Sequence, residues 1–476
     1  MHMNLSKLQE KWKSNYACVD RQLNAMASVK GVVSAFNANI DAVIKLSGTT
    51  ISKYLSELSL SSKESLQITN SIIRSPEDVL KGLVSCFQEG KAEEWIIESI
   101  ETYEWLNQTI GYDRLQMGGQ GGIIANLMGL CDIEKVFCHT ASASKEQTSQ
   151  FLNLPNLFTM NEAGSFETAS SVNRAKDVPL IHWILEFDKG DKITVGDQVI
   201  ECPKSNRFIA TYDPLNLKLH VDPMFAKKIL SEKIEYFLLS GFQMLQAEFD
   251  NTRGTEQIDA CLGILDTWKE VYPDAITHLE LASTQDKLIR DYVFRRVSSY
   301  ADSIGFNERE LIDLLEIMGE DELARQCEQH LDSVNLFKGM LKVLDEVDCE
   351  RAQLHMFGLY VTIQRKGFRV TPLQNRDGMS LAAVVAASKA TLGELAHKNN
   401  LLEAKNLSVH EKSLYELASL NEYIESSYGV SSLLEEGIAD CEDFDVIAVP
   451  TIIVEKPVTL VGMGDTISSV SLIGAR

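Results

Sequence analysis

The chain is poor in positive charge: its 476 residues include 45 Lys and Arg against 68 Asp and Glu, a formal net charge of -23. Contact with nucleic-acid phosphates relies on clustered Lys and Arg, so this balance disfavours a nucleic-acid-binding protein. The chain also has no run approaching the ~18 apolar residues of a membrane helix, and residues 1–10 lack the apolar core of a signal peptide. We therefore expect a cytoplasmic protein without nucleic-acid or membrane partners.

Cysteine pairs, internal repeats and proline-rich linkers are missing as well. The nine cysteines are scattered, odd in number and free of any CxxC spacing, which favours a reducing compartment and free thiols. A chain of this length has room for two or three domain-sized units. Because no linker separates them, we expect these domains to be interleaved along the chain rather than joined in series.

Short apolar segments rich in β-branched residues alternate with longer helical patterns along most of the chain. This alternation is typical of an α/β protein with a mainly parallel sheet. Strands are predicted at residues 31–36, 135–139, 236–240, 275–281, 353–357 and 445–450, and helical stretches at 308–330 and 381–397. Ligands of open α/β sheets bind at the carboxyl ends of the strands, so chemistry is expected where these segments end.

The alternation is interrupted between residues 181 and 210. Residues 181–187 and 192–200, separated by Asp188-Lys-Gly-Asp, predict a hairpin in an antiparallel or mixed sheet. Together with residues near 40–50 and 85–117, they predict a smaller, discontinuous lid domain. The predicted division is a large α/β domain at 1–38, 118–178 and 212–476, and a lid domain at 39–117 and 179–211.

The most informative motif lies near the end of the chain. Gly462, Gly464 and Asp465 stand between a strand-like segment that begins at Val458 and a helix-like segment that reaches Ser469. The glycines let the backbone approach an anion, and the helix start offers unpaired N–H groups. The aspartate can then take a proton from an attacking hydroxyl. A plain glycine-rich turn with Asp465 as a helix cap is the alternative for this motif alone.

Two further motifs combine amides, a carboxylate and glycines. Asn37, Asn39 and Asp41 follow the first predicted strand; such groups bind vicinal hydroxyls, and an Asx-rich turn is the alternative. Residues 117–126 place four glycines around Gln120 before an apolar helix, so bare backbone can lie against a polar ligand. Close helix packing is the alternative here. The segment has neither the ending of a P-loop nor the setting of a dinucleotide site.

Carboxylates also stand at a strand end and at a helix start. Glu280 closes the strand-like segment 275–281, while Asn307 and Glu310 open a helix. These groups could hold Mg²⁺ through water, because magnesium keeps most of its hydration shell, although Asn307 and Glu310 also match a capping box. Arg207 could neutralise a phosphate if the lid delivers it; an ordinary solvated arginine is the alternative.

Taken in order, these motifs resemble one family, the ADP-dependent sugar kinases of the ribokinase-like superfamily, which comprises mostly archaeal glucokinases and phosphofructokinases. The resemblance runs through Asn37-Ala-Asn-Ile-Asp, Gly118-Gly-Gln-Gly-Gly, His182-Trp-Ile-Leu-Glu-Phe, Asn206-Arg-Phe-Ile, Ser240-Gly-Phe-Gln, His278-Leu-Glu-Leu-Ala-Ser, Asn307-Glu-Arg-Glu and Val461-Gly-Met-Gly-Asp-Thr-Ile-Ser. It covers nearly the whole chain. It implies a Rossmann-like domain that binds the nucleotide and a smaller α/β lid, with the sugar enclosed between them.

The resemblance also implies a role for each matched residue. For phosphoryl transfer these are Asp465 as catalytic base, Gly462 and Gly464 as anion hole, Arg207 as the lid arginine that contacts phosphate, and Glu280, Asn307 and Glu310 as the magnesium site. The implied nucleotide contacts are Arg207, His355, Val461 and Gly464. The implied sugar contacts are Asn39, Asp41, Gly119 and Gln120 for both activities, and Glu94 and His182 for glucose.

The implied reaction transfers the β-phosphoryl group of ADP to a sugar hydroxyl and releases AMP, as a step of glycolysis. Glu94 and His182 indicate that glucose binds. Cationic candidates for the phosphate of a sugar phosphate are Arg174, Lys204 and Arg207. We therefore expect a kinase that acts on fructose 6-phosphate and also on glucose.

Three alternatives to this expectation remain. Leu180 and Trp183 stand where phosphofructokinases often carry a basic residue, which keeps a dedicated ADP-dependent glucokinase as the first alternative. An ATP-dependent ribokinase-like carbohydrate or nucleoside kinase shares the GxGD motif, but the HxE motif at 278–280 and Asn206-Arg-Phe-Ile argue against it. A non-catalytic sugar or nucleotide sensor would not need Asp465. These patterns do not specify an oligomeric state.

Overall fold

The computed structural model describes residues 4–284, 286–429 and 431–476. Its strands, in chain order, are β1 Val32–Ala35, β2 Asn39–Lys45, β3 Ile72–Ile73, β4 Glu93–Ile97, β5 Arg114–Gly118, β6 Val136–Cys138, β7 Leu157–Met160, β8 Phe166–Thr168, β9 Ile181–Phe187, β10 Lys192–Val195, β11 Gln198–Glu201, β12 Asn206–Tyr212, β13 Tyr236–Leu239, β14 Glu248–Phe249, β15 Thr252–Arg253, β16 Ile276–Glu280, β17 Ser303–Phe306, β18 Arg351–Met356, β19 Leu359–Arg365, β20 Ile438–Asp440 and β21 Phe444–Pro450. They form a large sheet, a smaller mixed sheet and two short ladders.

The large sheet runs in the order β8-β7-β6-β1-β13-β16-β17-β18-β19-β21-β20. Every neighbouring pair from β7 to β18 is parallel, and antiparallel pairing occurs only towards the two margins of the described sheet. The central strands are short and fully buried, because helices cover both faces of a parallel sheet. The predicted α/β class with a mainly parallel sheet is confirmed, and the six predicted strands correspond to β1, β6, β13, β16, β18 and β21.

The α-helices flank the sheets and supply most of the remaining regular structure. In chain order they are α1 Leu5–Asn15, α2 Val19–Met26, α3 Gly48–Glu57, α4 Pro76–Glu89, α5 Ile100–Trp105, α6 Gln120–Leu130, α7 Lys145–Thr148, α8 Pro223–Lys228, α9 Gly254–Val271, α10 Lys287–Tyr292, α11 Glu308–Ile317, α12 Asp321–Gln329, α13 Ser333–Glu346, α14 Pro372–Leu392, α15 Glu411–Tyr428, α16 Leu433–Glu436 and α17 Met463–Ile473. Among the helices of the described residues, none combines the length and the apolarity needed to cross a membrane.

The two predicted helical stretches differ in length from the helices that form. The stretch at 308–330 is divided into α11 and α12 by a turn at Gly319, which has a φ of 79°. Such a left-handed backbone interrupts a helix and favours glycine. The stretch at 381–397 is the second half of α14, which starts earlier at a Thr371–Gln374 capping box and stops at Gly393.

The smaller sheet runs in the order β3-β4-β12-β9-β2-β5. Its strands fall within residues 39–118 and 181–212, the part of the chain from which the lid was predicted. Side chains alternate between the two faces of a strand. On one face Trp95, Trp183 and Phe208 pack with α4 in a hydrophobic core of their own, distinct from the core of the large sheet. The other face carries polar side chains.

The predicted hairpin has a different strand pairing from the one expected. Strand β9 does not pair with residues 192–200; it lies between β2 and β12 in the smaller sheet. The hairpin is formed instead by β10 and β11 around Gly196, whose φ of 58° suits a two-residue turn. Because one face of β9 is apolar, it gains more from a central place in a sheet than from an exposed ladder.

The strand-like segment predicted from Val458 is also wrong. Strand β21 ends at Pro450, and residues 451–461 form an irregular connection to α17. Pro457 lacks the N–H that a strand ladder needs. The apolar side chains of Val458 and Leu460 are each 68% exposed, so these residues do not pack in the core as a buried strand would.

Close packing of α14 on α17 generates a stability prediction. A Cβ added at Gly378 would lie 2.3 Å from the Ser471 carbonyl oxygen and 2.7 Å from the Ala475 nitrogen. We expect Gly378→Ala to lower the free energy of unfolding by about 1–3 kcal/mol through overpacking, as measured by denaturant titration. The matched control is Gly263→Ala in α9, where a Cβ meets nothing within 4 Å; there we expect a gain of about 0.5–1 kcal/mol. Equal effects of the two substitutions would contradict the packing argument.

Candidate active site

Five neighbouring strands of the large sheet end at one edge with polar residues or glycine. In sheet order, β1 leads to Asn37, β13 to Gly241, β16 ends at Glu280, β17 leads to Asn307, and β18 carries His355 near its end. Parallel strands direct their carboxyl ends to the same side of the sheet, where ligands of α/β proteins bind. The edge therefore gathers residues from five distant parts of the chain.

Helix α17 begins at this edge. Its N-cap, Gly462, has a left-handed backbone with a φ of 63°, and Asp465 lies in its first turn. The N–H groups of a first turn have no partner within the helix, and the helix dipole adds partial positive charge there. Gly464 lies close to the carboxylates: an added Cβ would be 3.0 Å from His355 Cε1 and 3.3 Å from Glu280 Oε1. A side chain at position 464 would therefore press against His355 and Glu280.

A side-chain hydrogen bond from Gln120 orients Asp465. The Gln120 amide, at the first residue of α6, donates to Asp465 Oδ1 over 2.9 Å. Burial raises the pKa of Asp465 to about 6, and the nearby charge of Glu280 adds to this shift, while Gln120 opposes it. The other polar atom of the Gln120 side chain, Oε1, is buried, and no described residue forms a hydrogen bond with it. This carboxylate can therefore exchange a proton near neutral pH.

Glu280 is held by two histidines. Its Oε2 lies 3.1 Å from His278 Nε2 and its Oε1 lies 2.7 Å from His355 Nε2. Burial alone would raise the pKa of Glu280, but the two imidazoles hold it down to about 2. The same pairing raises the pKa of His355 to about 9. Glu280 is therefore ionised at neutral pH although it is almost inaccessible to solvent.

Asn307 and Glu310 form the capping box that the spacing allowed. The Glu310 amide donates to Asn307 Oδ1 over 3.0 Å, and the Asn307 amide donates to Glu310 Oε2 over 2.8 Å. Burial raises the pKa of Glu310 to about 8, with further contributions from Glu280 and Asp465. Three carboxylates are thus crowded together in a region of low solvent access.

This crowding is relevant to a metal. Within residues 4–284, 286–429 and 431–476, no three His, Cys, Asp or Glu side chains converge closely enough to hold an ion directly. A cation that keeps its water shell needs fewer protein ligands and relieves repulsion between carboxylates at longer distance. The raised pKa of Glu310 is the observation that fits such a cation.

A polar row crosses the open face of the smaller sheet. Asp41 on β2, His182 on β9 and Thr211 on β12 are direct cross-strand neighbours. The Thr211 hydroxyl donates to Glu94 Oε1 over 2.6 Å, and His182 Nδ1 lies 3.7 Å from the same oxygen. Cross-strand neighbours project from the same face. The predicted sugar residues Asp41, Glu94 and His182 therefore lie together, and Thr211 joins them.

Asp213, which the sequence did not indicate, orients the imidazole of His182 through a hydrogen bond. Asp213 Oδ2 lies 3.1 Å from His182 Nε2, and the side chain of Asp213 is fully buried. Both carboxylate oxygens of Asp213 also accept hydrogen bonds from Asn216. Burial opposes protonation of His182, but the bond to Asp213 and the charge of Glu94 raise its pKa above the usual value. His182 can thus act as a hydrogen-bond donor towards a ligand on this face.

Asn39 and Gly119 meet where the two sheets join. A Cβ added at Gly119 would lie 2.5 Å from Asn39 Oδ1 and 2.7 Å from the Asn37 carbonyl oxygen. Gly119 caps α6 with a φ of 71°. Both this left-handed backbone and the lack of room for a Cβ require glycine at this position. The side-chain oxygens of Asn37 and Asn39 are buried and have no hydrogen-bond partner among the residues that the structure describes. Buried acceptors of this kind are satisfied by water or by a hydroxyl-bearing ligand.

The cationic candidates differ in their surroundings. Arg207 is exposed at the start of β12 and shares a strand face with Thr211. Burial raises the pKa of Asp41, and the charge of Arg207 is among the influences that oppose this shift. Lys204 is also exposed. Arg174 is not available to a substrate: its guanidinium is bonded to Asp177, Asp222 and two backbone carbonyls. The expectation that Arg174 serves a substrate phosphate is therefore wrong.

His355 and Val461 were expected near an adenine. The imidazole of His355 is engaged by Glu280 inside the carboxylate cluster. Val461 is half-buried in the connection before α17, with its amide bonded to Thr459. His355 lies beside Gly464, where an added Cβ would meet the imidazole ring. His355 therefore has an electrostatic environment that the sequence did not indicate.

Lys389 is a second residue that sequence reasoning missed. It lies in the last turn of α14, and its ammonium is 3.2 Å from the Gly462 carbonyl oxygen and 3.3 Å from Thr466 Oγ1. In the sequence, Lys389 is the one charged residue between Gly378 and Gly393, and this isolation in an apolar stretch is the signal that sets it apart from an ordinary surface lysine. Only the packing of α14 on α17 brings it to the candidate site.

The buried Asp465 carboxylate generates a prediction about stability and pH. Burial raises its pKa in the folded state to about 6 from the usual 3.8, so its ionised form destabilises the folded state above that pH. Below about pH 4 the group is protonated in both states and the cost vanishes. We expect Asp465→Asn to raise the free energy of unfolding by up to about 3 kcal/mol near pH 8, and by little near pH 4. Denaturant titration at the two pH values tests this, and a gain that does not depend on pH would contradict it.

The chain matches known proteins over nearly its whole length. Residues 30–474 match the model of the ADP-specific phosphofructokinase/glucokinase conserved region. An ADP-specific phosphofructokinase from Methanosarcina acetivorans is 27% identical and covers 97% of this chain and 96% of its own. An ADP-dependent glucose/glucosamine kinase from Pyrococcus abyssi is 31% identical and covers 96% of this chain and 97% of its own. The relatives thus include proteins named for either sugar.

Solved structures share the same architecture. A structure described as the last common ancestor of ADP-dependent phosphofructokinases from Methanosarcinales superposes with a TM-score of 0.87 at 29% identity, covering 99% of both chains. An ADP-dependent kinase in complex with fructose 6-phosphate and ADPβS superposes with a TM-score of 0.81 at 28% identity, covering 99% of this chain and 98% of its own. This agreement confirms the predicted fold class.

Proposed function

The chain belongs to the ADP-specific phosphofructokinase/glucokinase family, and on that premise we propose that it transfers the β-phosphoryl group of ADP to a hexose hydroxyl and releases AMP. Relatives named as phosphofructokinases and as glucose kinases support this class of reaction. The observation that carries the proposal is the buried Asp465 carboxylate at the start of α17, with a pKa of about 6. A base poised near neutral pH beside free helix N–H groups suits attack by a hydroxyl on a phosphoryl group.

In the proposed reaction the protein aligns the reactants and neutralises charge. Asp465 accepts the proton of the attacking hydroxyl, while the first-turn amides of α17 bind the oxygens of the transferred group. Gln120 keeps Asp465 oriented and has a free Oε1 with which to accept a sugar hydroxyl. Arg207, on the open face of the smaller sheet, supplies positive charge to the phosphates from the opposite side.

Glu280, Asn307 and Glu310 are the residues proposed to hold Mg²⁺ through its water shell. Bound there, the ion would supply positive charge to the phosphate oxygens of ADP. The ionised Glu280 attracts such a cation. A bound cation would also favour ionisation of Glu310, whose pKa is raised by burial. The proposal follows from the chemistry of these carboxylates and from their crowding around His355.

The proposed sugar site is the polar row of the smaller sheet together with Asn39, Gly119 and Gln120. Its unpartnered amide oxygens and the His182 donor suit a ligand rich in hydroxyl groups. We propose that both fructose 6-phosphate and glucose are substrates, as expected from the sequence, in glycolysis in the cytoplasm. The relative solved with fructose 6-phosphate and an ADP analogue supports the first sugar.

A dedicated glucokinase is the second candidate, and Glu94 is the observation that favours it. Its carboxylate is half-buried beside Asp41, and a site with two carboxylates disfavours a phosphorylated sugar. Arg174, one of three cations considered for a sugar phosphate, is bonded to Asp177 and Asp222 instead. The balance between the two candidates therefore depends on Glu94 and on the exposed Lys204 and Arg207.

The decisive experiment is AMP release from ADP and Mg²⁺ by the purified protein. It is run in parallel with fructose 6-phosphate and with glucose over a range of concentrations. We expect AMP with both sugars, and little turnover when ATP replaces ADP. Release with glucose alone would favour the dedicated glucokinase, and no release with either sugar would refute the proposed function.

Asp465→Asn supplies the control for this assay. The variant keeps the size of the side chain and its contact with Gln120 but loses the base, so we expect ADP binding to persist while turnover falls at least about 100-fold. Retention of the wild-type rate would exclude Asp465 as the base.

Substitution of Glu94 tests the sugar preference. We expect Glu94→Ala to lower kcat/KM for glucose by about 10- to 100-fold, because a hydrogen bond to a charged acceptor is lost, and to affect fructose 6-phosphate less. The matched control is Glu98→Ala, which removes an exposed ion pair with Arg74 and should leave both sugars unchanged. Parallel losses for the two sugars would mean that Glu94 does not discriminate between them.

A further inference from the structure

Lys389 is a half-buried lysine in an unusual position. Its ammonium donates to the Gly462 carbonyl oxygen and lies 3.3 Å from Thr466 Oγ1, so it sits beside the first turn of α17. An ammonium has three N–H donors, and these two acceptors leave one donor free. Among the described residues, no carboxylate oxygen lies within 4.0 Å of it.

The positively charged ammonium of Lys389 lies beside a helix start that already carries partial positive charge. The last turn of α14 favours a lysine because a helix carries partial negative charge at its C-terminus. The first turn of α17, however, carries partial positive charge. Burial lowers the pKa of Lys389 to about 8, and the charge of Asp465 only partly opposes this. The ammonium is therefore incompletely compensated by the protein itself.

An anion at the start of α17 would complete the compensation. The same turn exposes helix N–H groups and cannot accept a side chain at Gly464 without displacing His355. Ala390, the residue after Lys389, holds the connection that leads into α17. Its carbonyl oxygen accepts a hydrogen bond from the Val458 amide over 2.7 Å. The end of α14 thus holds both the connection and the cation beside the anion-accepting turn.

We propose that Lys389 is a further catalytic residue that donates a hydrogen bond to the transferred phosphoryl group. This inference rests on the proposed function. In the step, the sugar oxygen forms a bond to the β-phosphorus as the bond between that phosphorus and the oxygen bridging to the α-phosphate breaks. AMP leaves with the bridging oxygen, and the hydroxyl proton passes to Asp465. Lys389 neutralises charge on the transferred group from the large-sheet side, opposite Arg207.

Comparison of ADP with AMP isolates the contact. The two nucleotides differ by the β-phosphoryl group, so a lysine that touches this group affects ADP and not AMP. We expect Lys389→Met to bind ADP about 10- to 100-fold more weakly in titration calorimetry, with AMP affinity changed by less than about twofold. We also expect a fall in kcat with ADP and sugar.

A second variant and a control guard against an indirect effect. Lys389→Gln retains a donor for Gly462 but loses the charge, and we expect the same selective loss of ADP affinity. Lys398→Met removes a surface lysine paired with Asp132, and both affinities should stay at the wild-type value. Thermal unfolding of every variant is measured alongside.

The outcomes separate the two proposals. Wild-type ADP affinity in both Lys389 variants would overturn the role of Lys389 and leave the proposed function standing. Equal losses for ADP and AMP would also overturn it, since they indicate disturbance of the whole site. Failure of the wild-type protein to bind ADP would refute the proposed function, and the role of Lys389 with it.

Discussion

One hydrogen bond, from the Gln120 amide to the Asp465 carboxylate, holds the candidate site together. It joins the first turns of α6 and α17, whose residues are 345 positions apart in the chain. Without it, Asp465 would be a buried, weakly oriented carboxylate at the end of a helix. With it, the carboxylate faces the junction of the two sheets, where the unpartnered oxygens of Asn37 and Asn39 also lie. The proposed sugar site and the proposed base are thus connected by a single side chain.

The buried charges of the candidate site lower the stability of the folded protein. Glu280, Glu310 and Asp465 are buried near one another. Burial raises the pKa values of Glu310 and Asp465, and the charge of Glu280 raises both further. His355 and Lys389 balance these negative charges only in part. His355 is bonded to Glu280 alone of the three, and Lys389 is bonded to the Gly462 carbonyl oxygen. A site whose charges are unbalanced in isolation is complementary to a ligand that brings both cation and phosphate. This is the preorganisation expected of an enzyme that transfers phosphoryl groups.

The connections between the two sheets determine where the sugar residues lie. The chain passes from the large sheet to the smaller one between β1 and β2 and before β9, and it returns after β5 and after β12. Asn39, Gly119, His182 and Asp213 stand within two residues of these four passages. A residue at such a passage lies close to both sheets, because the backbone leaves one sheet and enters the other there. Movement between the units would therefore act directly on these residues.

The sequence by itself determined the α/β class, the strands that end in polar residues and the family resemblance, since local periodicity and short motifs carry that information. It also indicated Asp465, Glu280 and the capping box of Glu310. Only tertiary structure decided that β9 pairs with β12, that Arg174 is bonded within the protein, and that Asp213 and Lys389 join the site. The physical reason is that pairing, burial and charge depend on residues far apart in the chain. The isolated charge of Lys389 in an apolar helix is visible in the sequence, but the glycine turn that it faces is not.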